Sequence, residues 1–384
     1  MKYVPLIWRN LSRRKARTTF TVLSIIVAFV LFGLLAALNV AFTIGVDMAG
    51  NDRLVITHKV SIIQSLPVSY TERLEATPGV VDVLHETYFG GIYQKPSNFF
   101  MQCPVVPERL LKMYPEYLLP ENQKKAWLTD RTCAIVGRQT ADRFGWKVGD
   151  RIPIRATIWR KRDGGTSWEF NLCGIYDGDK KGVDTTQFFF NYDYFDESRP
   201  FWQGQVGWYV IRINDPANAA AIAARIDAQF ANSPAETKTT TEKAFVQAFA
   251  QQVGDIGMII RVIVTVVFFT ILLVAANTMA QSVRERTSEL AVLKTLGFSD
   301  ALVLVLVLAE SCAISVLGGA VGLGLAWLLT RAGDPTAGLL PAWFLPGADL
   351  ARGGLLALGL GVVAGVMPAV QAMRLRIVDA LRRN

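Results

Sequence analysis

The sequence predicts an α-helical membrane protein with four transmembrane helices and a large extracytoplasmic α+β domain inserted between helices 1 and 2. Hydrophobic residues make up 51% of its 384 residues and charged residues only 19%, against about a quarter in soluble domains. Four windows of 19 to 27 residues contain no charged residue, and a long block of balanced charge separates the first window from the second. These observations exclude a soluble enzyme, a disordered chain and a fibrous protein.

The charge-free windows are long enough to be membrane-spanning helices. They run from Phe20 to Val46, Val262 to Ala280, Ser311 to Thr330 and Gly353 to Met373. A helix rises about 1.5 Å per residue and needs about 20 residues to cross a hydrocarbon core of roughly 30 Å. With flanking residues included, we place transmembrane helices at 20–46, 256–281, 301–330 and 353–373.

The distribution of charge predicts how these helices are oriented. The net charge is +8, of which residues 1–19 contribute +6, residues 47–255 contribute −1 and the tail 374–384 contributes +3. Because loops rich in Lys and Arg stay in the cytoplasm, both termini and the segment 282–300 are predicted to be cytoplasmic. The block 47–255 and the loop 331–352 then lie outside. A nucleic-acid partner is not expected, because the large domain carries no basic excess.

The amino-terminal segment 1–19 is predicted to form an amphipathic helix. Val4, Ile7 and Trp8 recur at helical spacing, while Arg9 and Arg13 lie on another face, so the helix would bind at the surface of the membrane lipids. A simple basic flank is the alternative. A cleaved signal peptide fits less well, because the apolar run is about twice the usual length and no A-x-A site follows it.

The external block 47–255 shows mixed helix and strand patterns. Strands are predicted where β-branched and aromatic residues cluster, at 54–60, 80–84, 151–158, 168–176, 187–192, 207–213 and 237–241. Helices are predicted at 70–75, 136–144 and 217–230, the last capped by Asp215. A further helix starts at Glu242, and only Gly254 and Gly257 interrupt its passage into the second transmembrane helix. A nearly continuous helical stalk is therefore expected, which would transmit movement where a flexible linker would absorb it.

The cytoplasmic segment 282–300 has the pattern of a short amphipathic helix. Apolar and charged side chains alternate in it at helical spacing, Gly297 is a stop signal, and Ser299 or Asp300 is a candidate cap for the next helix. The near-equal mix of acidic and basic residues favours a protein surface over lipid headgroups as its partner.

Several stretches resemble one family of membrane proteins. They are RERTSELAVLKTLGF (284–298), LGGAVGLG (317–324), RNLSRRKARTTFTVLSI (9–25), LPVSYTERLEATPGVVDV (66–83) and IVGRQTADRFGWKVGDRI (135–152). Their order resembles that of the MacB, LolC and FtsX type (type VII) of ABC transporter permease, whose large domain is the MacB-like periplasmic domain. The resemblance covers nearly the whole chain.

This resemblance implies a non-catalytic permease of the bacterial cytoplasmic (inner) membrane. No G-x-x-x-x-G-K-[ST] motif is present, so ATP and Mg²⁺ would be used by a partner ABC ATPase in two copies, and the chain itself would bind no cofactor or metal. A second permease chain, taken as identical, membrane lipids, and an adaptor or other external partner complete the expected assembly. The segment 284–298 would be the coupling helix seated in the ATPase. The residues assigned to this role are Arg284, Glu285, Arg286, Glu289, Leu290, Leu293, Lys294, Leu296, Gly297 and Phe298.

Polar and small residues inside the spans suggest contacts between helices. Glu310 is costly in hydrocarbon unless it is paired or protonated, and Asn277 and Thr278 lie at comparable depth, so a polar contact with them would fit a role in packing or coupling. A proton relay and an uneventful interfacial position are the alternatives. Two G-x-x-x-G pairs, Gly318 with Gly322 and Gly361 with Gly365, allow close helix packing.

Histidines and cysteines give little sign of catalysis. His58 and His85 are isolated and are expected to be structural. Cys103, Cys133 and Cys173 lie in the external domain, where either one disulfide with a buried thiol or three buried thiols would fit.

Three functional classes follow from the sequence. The first is the permease of an exporter or extractor of a lipid, lipoprotein, peptide or drug, driven by mechanotransmission. The second is an FtsX-like transmitter that activates an external partner such as a cell-wall hydrolase. The third, an anchored sensor, would need a cytoplasmic output domain, and the cytoplasmic segments here are only about 20 residues long.

Overall fold

A computed structural model describes residues 15–48, 50–180, 182–252, 256–333, 335 and 343–375. The chain divides into two compact units. Of the described residues, the membrane unit comprises those in 1–40, 256–333 and 343–375, and the external unit comprises those in 41–252 together with residue 335.

The described residues form twelve α-helices and thirteen strands. The helices are α1 Lys15–Met48, α2 Tyr70–Glu75, α3 Pro107–Met113, α4 Glu121–Thr129, α5 Arg138–Phe144, α6 Tyr192–Ser198, α7 Ala219–Gln229, α8 Glu242–Gln252, α9 Ile256–Glu285, α10 Thr287–Thr295, α11 Asp300–Arg331 and α12 Gly347–Met373. The strands are β1 Arg53–His58, β2 Leu66–Pro67, β3 Val80–Glu86, β4 Gly91–Ile92, β5 Gln102–Val105, β6 Tyr117–Leu118, β7 Cys133–Gly137, β8 Arg151–Ala156, β9 Ser167–Gly178, β10 Phe188–Asn191, β11 Gln205–Val206, β12 Trp208–Ile213 and β13 Thr237–Thr241.

Among the described residues, four helices are long and apolar enough to cross a membrane: α1, α9, α11 and α12. With the α+β unit inserted between the first two of them, the predicted fold class is confirmed. The helices run past the charge-free windows, since a helix can continue into polar residues beyond the hydrocarbon.

The spanning helices pack through aromatic and small side chains. Phe268 on α9 meets Phe29 and Phe32 on α1 edge to face, with ring centroids 5.2 and 5.8 Å apart. The Ser311 hydroxyl on α11 donates to the Gly361 carbonyl on α12 at 2.8 Å, so a polar contact accompanies the close approach of these two helices.

The first sheet of the external unit is antiparallel, with strand order β13-β1-β12-β3. It is built from two β-α-β units, β1-α2-β3 and β12-α7-β13, as in ferredoxin-like folds. The Asp215 carboxylate accepts from the Ala217 N–H at 3.0 Å and begins a 3₁₀ turn, Pro216–Asn218, that leads into α7.

The second sheet is inserted between β3 and β12 in the chain. Its strand order is β4-β8-β9-β7-β10-β5, and β6 pairs with β9. Residues of strand β7, between β9 and β10, are fully buried. The prediction of one helix from Val136 to Phe144 is therefore wrong at its start, because Val136 and Gly137 end this strand and α5 begins at Arg138.

The cysteines adopt the first of the two arrangements that the sequence left open. Cys133 on β7 and Cys173 on β9 form a disulfide, and Cys103 is a buried free thiol. The bond joins two neighbouring parallel strands inside the second sheet.

Four predicted segments fall wholly or partly outside the described residues. They are most of the amphipathic helix 1–19, the middle of the loop 331–352, most of the tail 374–384, and residues 253–255 of the stalk. Continuity of the stalk and the amphipathic helix both stay predictions.

Candidate coupling site

The predicted coupling helix is divided in the structure. Helix α9 continues to Glu285, Arg286 leaves helical geometry with φ −110° and ψ 20°, and α10 begins at Thr287. The expectation of one helix over 284–298 is therefore wrong, since a bend at Arg286 separates the end of α9 from a nine-residue helix.

Arg286 fastens this bend to α11. Its Nη1 donates to Glu310 Oε2 at 2.8 Å and to Oε1 at 3.2 Å, and its Nε lies 3.5 Å from Glu289 Oε2. Glu310 is buried and Asn277 is exposed. The expected contact between Glu310 and Asn277 is thus replaced by a charge-assisted hydrogen bond to Arg286, which is the stronger type.

The apolar side chains of α10 face inward more than the sequence indicates. Leu290 is buried in a cluster with Val283, Val303 and Val307, and Leu293 is partly buried against the same cluster. Phe298 also packs there. These side chains stabilise the membrane unit itself and present little surface to a partner.

The surface that α10 and the following turn expose to solvent contains two apolar residues with charged residues nearby. Leu296 is 71% exposed and Val292, four residues earlier on the same face, is 47% exposed. Arg284 and Glu285 are exposed at the end of α9. Sequence reasoning missed Val292, although its i, i+4 spacing to Leu296 was a usable signal.

Lys294 closes the end of α12. Its Nζ donates to the carbonyl oxygens of Met373 and Leu375 at 2.6 and 3.1 Å and lies 2.7 Å from Asp300 Oδ1. A cation at a helix C-terminus satisfies free carbonyls and complements the helix dipole. Lys294 is therefore turned into the membrane unit.

The turn after α10 has the geometry that its sequence predicts. Gly297 has φ +93°, a left-handed conformation that favours glycine. The Phe298 N–H donates to the Leu293 carbonyl at 3.2 Å, which together with the glycine gives a Schellman motif. Ser299 caps α11, its Oγ accepting from the Leu302 N–H at 3.3 Å.

The glycine pairs bring helices of this chain together. A Cβ at Gly318 or Gly322 would lie 2.7 Å from an atom of α1, the nearest being Ile25 Cγ2 and Ile26 O. A Cβ at Gly361 would lie 2.6 Å from Cys312 Cα, and one at Gly365 would lie 2.7 Å from a side-chain atom of α11. Both motifs therefore serve packing within the membrane unit.

A second arginine cluster lies in the external unit. Arg53 Nε donates to Glu242 Oε2 at 2.7 Å and Nη2 donates to Glu116 Oε1 at 2.8 Å. The Gly50 N–H donates to the same Glu242 oxygen at 2.7 Å, and the guanidinium lies 4.7 Å from the Tyr114 ring centroid. The cluster joins the first strand of the unit to the start of α8.

Two neighbouring residues on β3 have shifted pKa values in opposite directions. Burial, together with the Glu242 carboxylate, raises the pKa of Glu86 to about 7, although Trp208 Nε1 donates to it at 3.1 Å. Burial and the nearby charge of Arg109 lower the pKa of His85 to about 4. Both groups are therefore uncharged, or nearly so, at slightly acidic pH, and His85 packs against the Tyr192 ring.

Sequence comparison supplies the relatives of this chain. Residues 261–377 match the FtsX-like permease C-terminal family. The ABC transporter permease MJ1507 of Methanocaldococcus jannaschii is 23% identical over 407 residues, which cover 98% of this chain and 96% of the relative. YknZ of Bacillus subtilis is 28% identical over 161 residues, 40% of either chain, and YtrF of the same organism is 30% identical over 164 residues, 38% of this chain and 36% of the relative. The chain thus spans less than half the length of these two Bacillus permeases.

Two solved structures are similar to part of the chain. The periplasmic region of MacB from Actinobacillus actinomycetemcomitans aligns with a TM-score of 0.36 and 9% identity, covering 52% of this chain and 94% of that structure. The extracellular domain of the transporter YknZ from Gram-positive bacteria aligns with a TM-score of 0.35 and 10% identity, covering 49% and 99%.

Proposed function

We propose that this chain, an ABC transporter permease of the FtsX and MacB type, couples ATP hydrolysis by a separate ATPase subunit to movements of its external unit. The predicted family is confirmed by the domain at residues 261–377 and by a relative that covers nearly the whole chain. Such a permease is a multi-pass membrane subunit that works with an ATPase partner. The proposed work is export or extraction of a substrate on the external side.

The observation that carries this proposal is the way α10 is fastened. Arg286 ties its beginning to α11 through Glu310, and Lys294 ties its end to α12. A displacement applied to the exposed Val292 and Leu296 would therefore be passed to two spanning helices at once. This is what a coupling element requires, since a loosely attached loop would absorb the same displacement.

The remaining parts of the proposal follow the same logic. Two ATPase copies would bind ATP and Mg²⁺ and serve two permease chains, taken as identical, while this chain would be non-catalytic and bind no cofactor. The charge excess on the termini supports a cytoplasmic location for both of them in the bacterial inner membrane. The disulfide between Cys133 and Cys173 supports an oxidising, external location for residues 47–255.

The second candidate function is that of a non-transporting, FtsX-like transmitter that activates an external partner such as a cell-wall hydrolase. It would use the same ATPase coupling. Export is favoured because the external unit contains two large sheets and a large cleft of its own.

The test of ATPase coupling changes the exposed pair on α10. Val292→Asp with Leu296→Asp should abolish copurification of the ATPase, because buried unpaired carboxylates at an apolar contact cost several kcal/mol. The matched control is Val81→Asp with Leu118→Asp, two comparably exposed apolar residues of the external unit. Full ATPase copurification with a correctly inserted α10 double mutant would overturn the proposed docking surface.

Mechanical transmission through the stalk needs its own experiment. A flexible Gly/Ser segment inserted after Gln252 should leave ATPase binding intact and abolish external work, because a coil absorbs the displacement that a helix delivers. The measurement is in vivo function beside the ATPase activity of the same complex. Undiminished function with the insertion present would show that the connection is only a tether.

A further inference from the structure

The external unit contains a cleft of about 1080 Å³ that the coupling role does not use. This volume is slightly above the usual range for ligand pockets, roughly 300–1,000 Å³. Its lining includes the beginning of β12 and the loop after β8. The lining residues on which the argument depends are Ile63, Trp159, Arg160, Arg162, Arg199 and Trp202.

Apolar side chains are unusually exposed along this cleft. Ile63 is 91% exposed, Phe201 73% and Trp202 66%, and all three line the cleft. Contiguous exposed apolar surface of this kind marks a binding site in soluble domains. The interior of the cleft therefore suits a hydrocarbon chain.

The charge of the lining has one sign. Arg160, Lys161, Arg162 and Arg199 line the cleft, and none of its described lining residues is acidic. Over the part of the chain that the structure describes, Arg160, Lys161 and Arg162 form no ion pair, and Arg160 and Arg162 are exposed. An anionic group at this edge would meet several uncompensated cations.

Arg199 adds a built donor to this basic edge. Its side chain is 1% exposed, its Nε donates to Asp196 Oδ1 at 3.0 Å, and its Nη2 donates to the Gln205 carbonyl at 2.8 Å. Its Nη1 is buried and has no hydrogen-bond partner among the described residues. The Arg199 guanidinium also stacks on the rings of Trp159 and Phe195, with Cζ 5.1 and 4.5 Å from the ring centroids. Because buried donors are usually satisfied, Nη1 is a candidate donor to an acceptor on a ligand in the cleft.

We propose that this cleft binds a single-chain anionic amphiphile, with its acyl chain along the apolar lining and its carboxylate or phosphate at the basic edge. The exposed aliphatic and aromatic surface suits the acyl chain of such a ligand, and the basic side chains suit its anionic headgroup. Treating the ligand as the transported substrate rests on the proposed function; the binding itself does not.

The test uses the full-length protein in phosphatidylcholine nanodiscs with stearic acid that carries a diazirine at mid-chain. After illumination, mass spectrometry of the peptides should find label at residues 158–164 and 199–208. Label on the spanning helices is the internal reference, because the probe also partitions into the bilayer. The uncharged alcohol of the same length should label the helices equally and the cleft about fivefold less, as the loss of roughly 1 kcal/mol of charge attraction requires.

Charge variants sharpen the test. Arg160→Glu with Arg162→Glu should lower cleft labelling by about fivefold or more, since both attractions become repulsions. The matched control, Lys125→Glu with Lys147→Glu, changes two exposed lysines outside the cleft and should leave the labelling unchanged. Ile63→Asp should lower it as well, whereas Val81→Asp should not.

The outcomes separate this inference from the proposed function. Labelling confined to the spanning helices would overturn the cleft proposal and favour side chains of a partner protein as its occupant. Equal cleft labelling by the acid and the alcohol would overturn the anionic headgroup. ATPase copurification is measured on the same preparation: if it is retained while cleft labelling is absent, only this inference fails, and cleft labelling without any ATPase partner would overturn only the proposed function.

Discussion

The two arginine clusters, around Arg53 and around Arg286, connect different parts of the chain. In the external unit, Arg53 bonds two carboxylates that lie 63 and 189 residues away in the chain. In the membrane unit, Arg286 bonds Glu310, which is only 24 residues away, and its second carboxylate, Glu289, is three residues along. The first cluster therefore closes the external unit at its chain ends, while the second fixes a local bend.

This difference indicates which cluster serves folding and which serves coupling. All the polar contacts of Arg53 are made inside one unit and are well shielded from solvent, with side-chain exposure of 7%. The Arg286 side chain is 20% exposed and sits beside the exposed end of α10. We expect loss of Arg53 to unfold structure, and loss of the Arg286 contact to weaken transmission while the helices stay inserted.

The largest expected effect is that of Arg53→Met. It leaves the buried Glu242 carboxylate and the partly buried Glu116 carboxylate without their cation, and breaking a buried pair in this way costs about 3–5 kcal/mol. Urea unfolding of the full-length protein, followed by tryptophan fluorescence, measures the change in the free energy of unfolding. The matched control is Arg131→Met, whose ion pair with Glu197 is exposed at 62% and 67% and is worth about 0–1 kcal/mol. Equal effects of the two variants would contradict the comparison.

Glu310→Gln should have a smaller effect on stability and a larger one on function. It removes the negative charge that strengthens the Arg286–Glu310 contact, a charge-assisted interaction worth about 1.5–3 kcal/mol, and so weakens the attachment of the bend to α11. ATPase copurification should persist while ATP-driven work falls, and the exchange Arg286→Glu with Glu310→Arg should restore part of that work. Loss of ATPase binding in the single variant would show instead that the pair only maintains the docking surface.

The next effect concerns the pH dependence of the external unit. Burial raises the pKa of Glu86 from 4.5 to about 7. The contribution of Glu86 to the stability of the folded state is therefore fully present at pH values below 4.5, the pKa in the unfolded chain, and is lost as pH rises through 7. The pKa of His85 is lowered to about 4, so its contribution is present above 6.5 and is lost as pH falls through 4.

Glu86→Gln should therefore raise the thermal midpoint at pH 8 by roughly 2 °C or more, and the gain should shrink at pH 5. Differential scanning fluorimetry of the purified protein at both pH values measures this. Glu121→Gln, at a carboxylate that is 89% exposed, is the control and should change neither midpoint. A gain of the same size at both pH values would show that Glu86 does not titrate in this range.

Lys294→Met is expected to have the smallest effect of the four. The methionine keeps the packing volume but leaves the carbonyls of Met373 and Leu375 without their donor. A cation in such a position is worth about 1 kcal/mol, so the thermal midpoint should fall slightly and ATPase copurification should persist. Arg374→Met, at a residue of the same turn for which the structure records no such contact, tests whether charge alone accounts for the change.

The sequence was sufficient for those features that depend on local pattern. Charge-free length identified the four spanning helices, and Gly297 and Ser299 marked the turn between α10 and α11. The contact of Glu310 was missed because depth along a helix says nothing about rotation around it. Asn277 precedes Arg286 by nine residues, which at 3.6 residues per turn is about two and a half turns of helix. The two residues therefore lie on opposite faces.

The apolar face of α10 shows a second limit. Leu290 and Leu293 have the spacing of a face that binds something, and the pattern does not say whether the binder is another protein or another part of the chain. In the structure, this face of α10 packs against α11 and α12 of the same chain. Val136 illustrates the same problem in the external unit, because a short apolar run fits a buried strand as well as a helix.

The glycine contacts have a consequence for how membrane chains assemble. Gly318 and Gly322 already face α1, and Gly361 faces α11, where an added Cβ would lie 2.6 Å from the nearest atom. Another chain can therefore reach these glycines only after a helix of this chain has moved away from them. Any lateral association that preserves the fold must therefore use other surfaces. Helix α9 offers the most, since only 17% of its most apolar stretch is buried, compared with 33–44% in the other three. Its outward side chains include branched aliphatics and Phe269, so oligomer formation would be governed by bulky complementary shapes and by the lipids that compete for them.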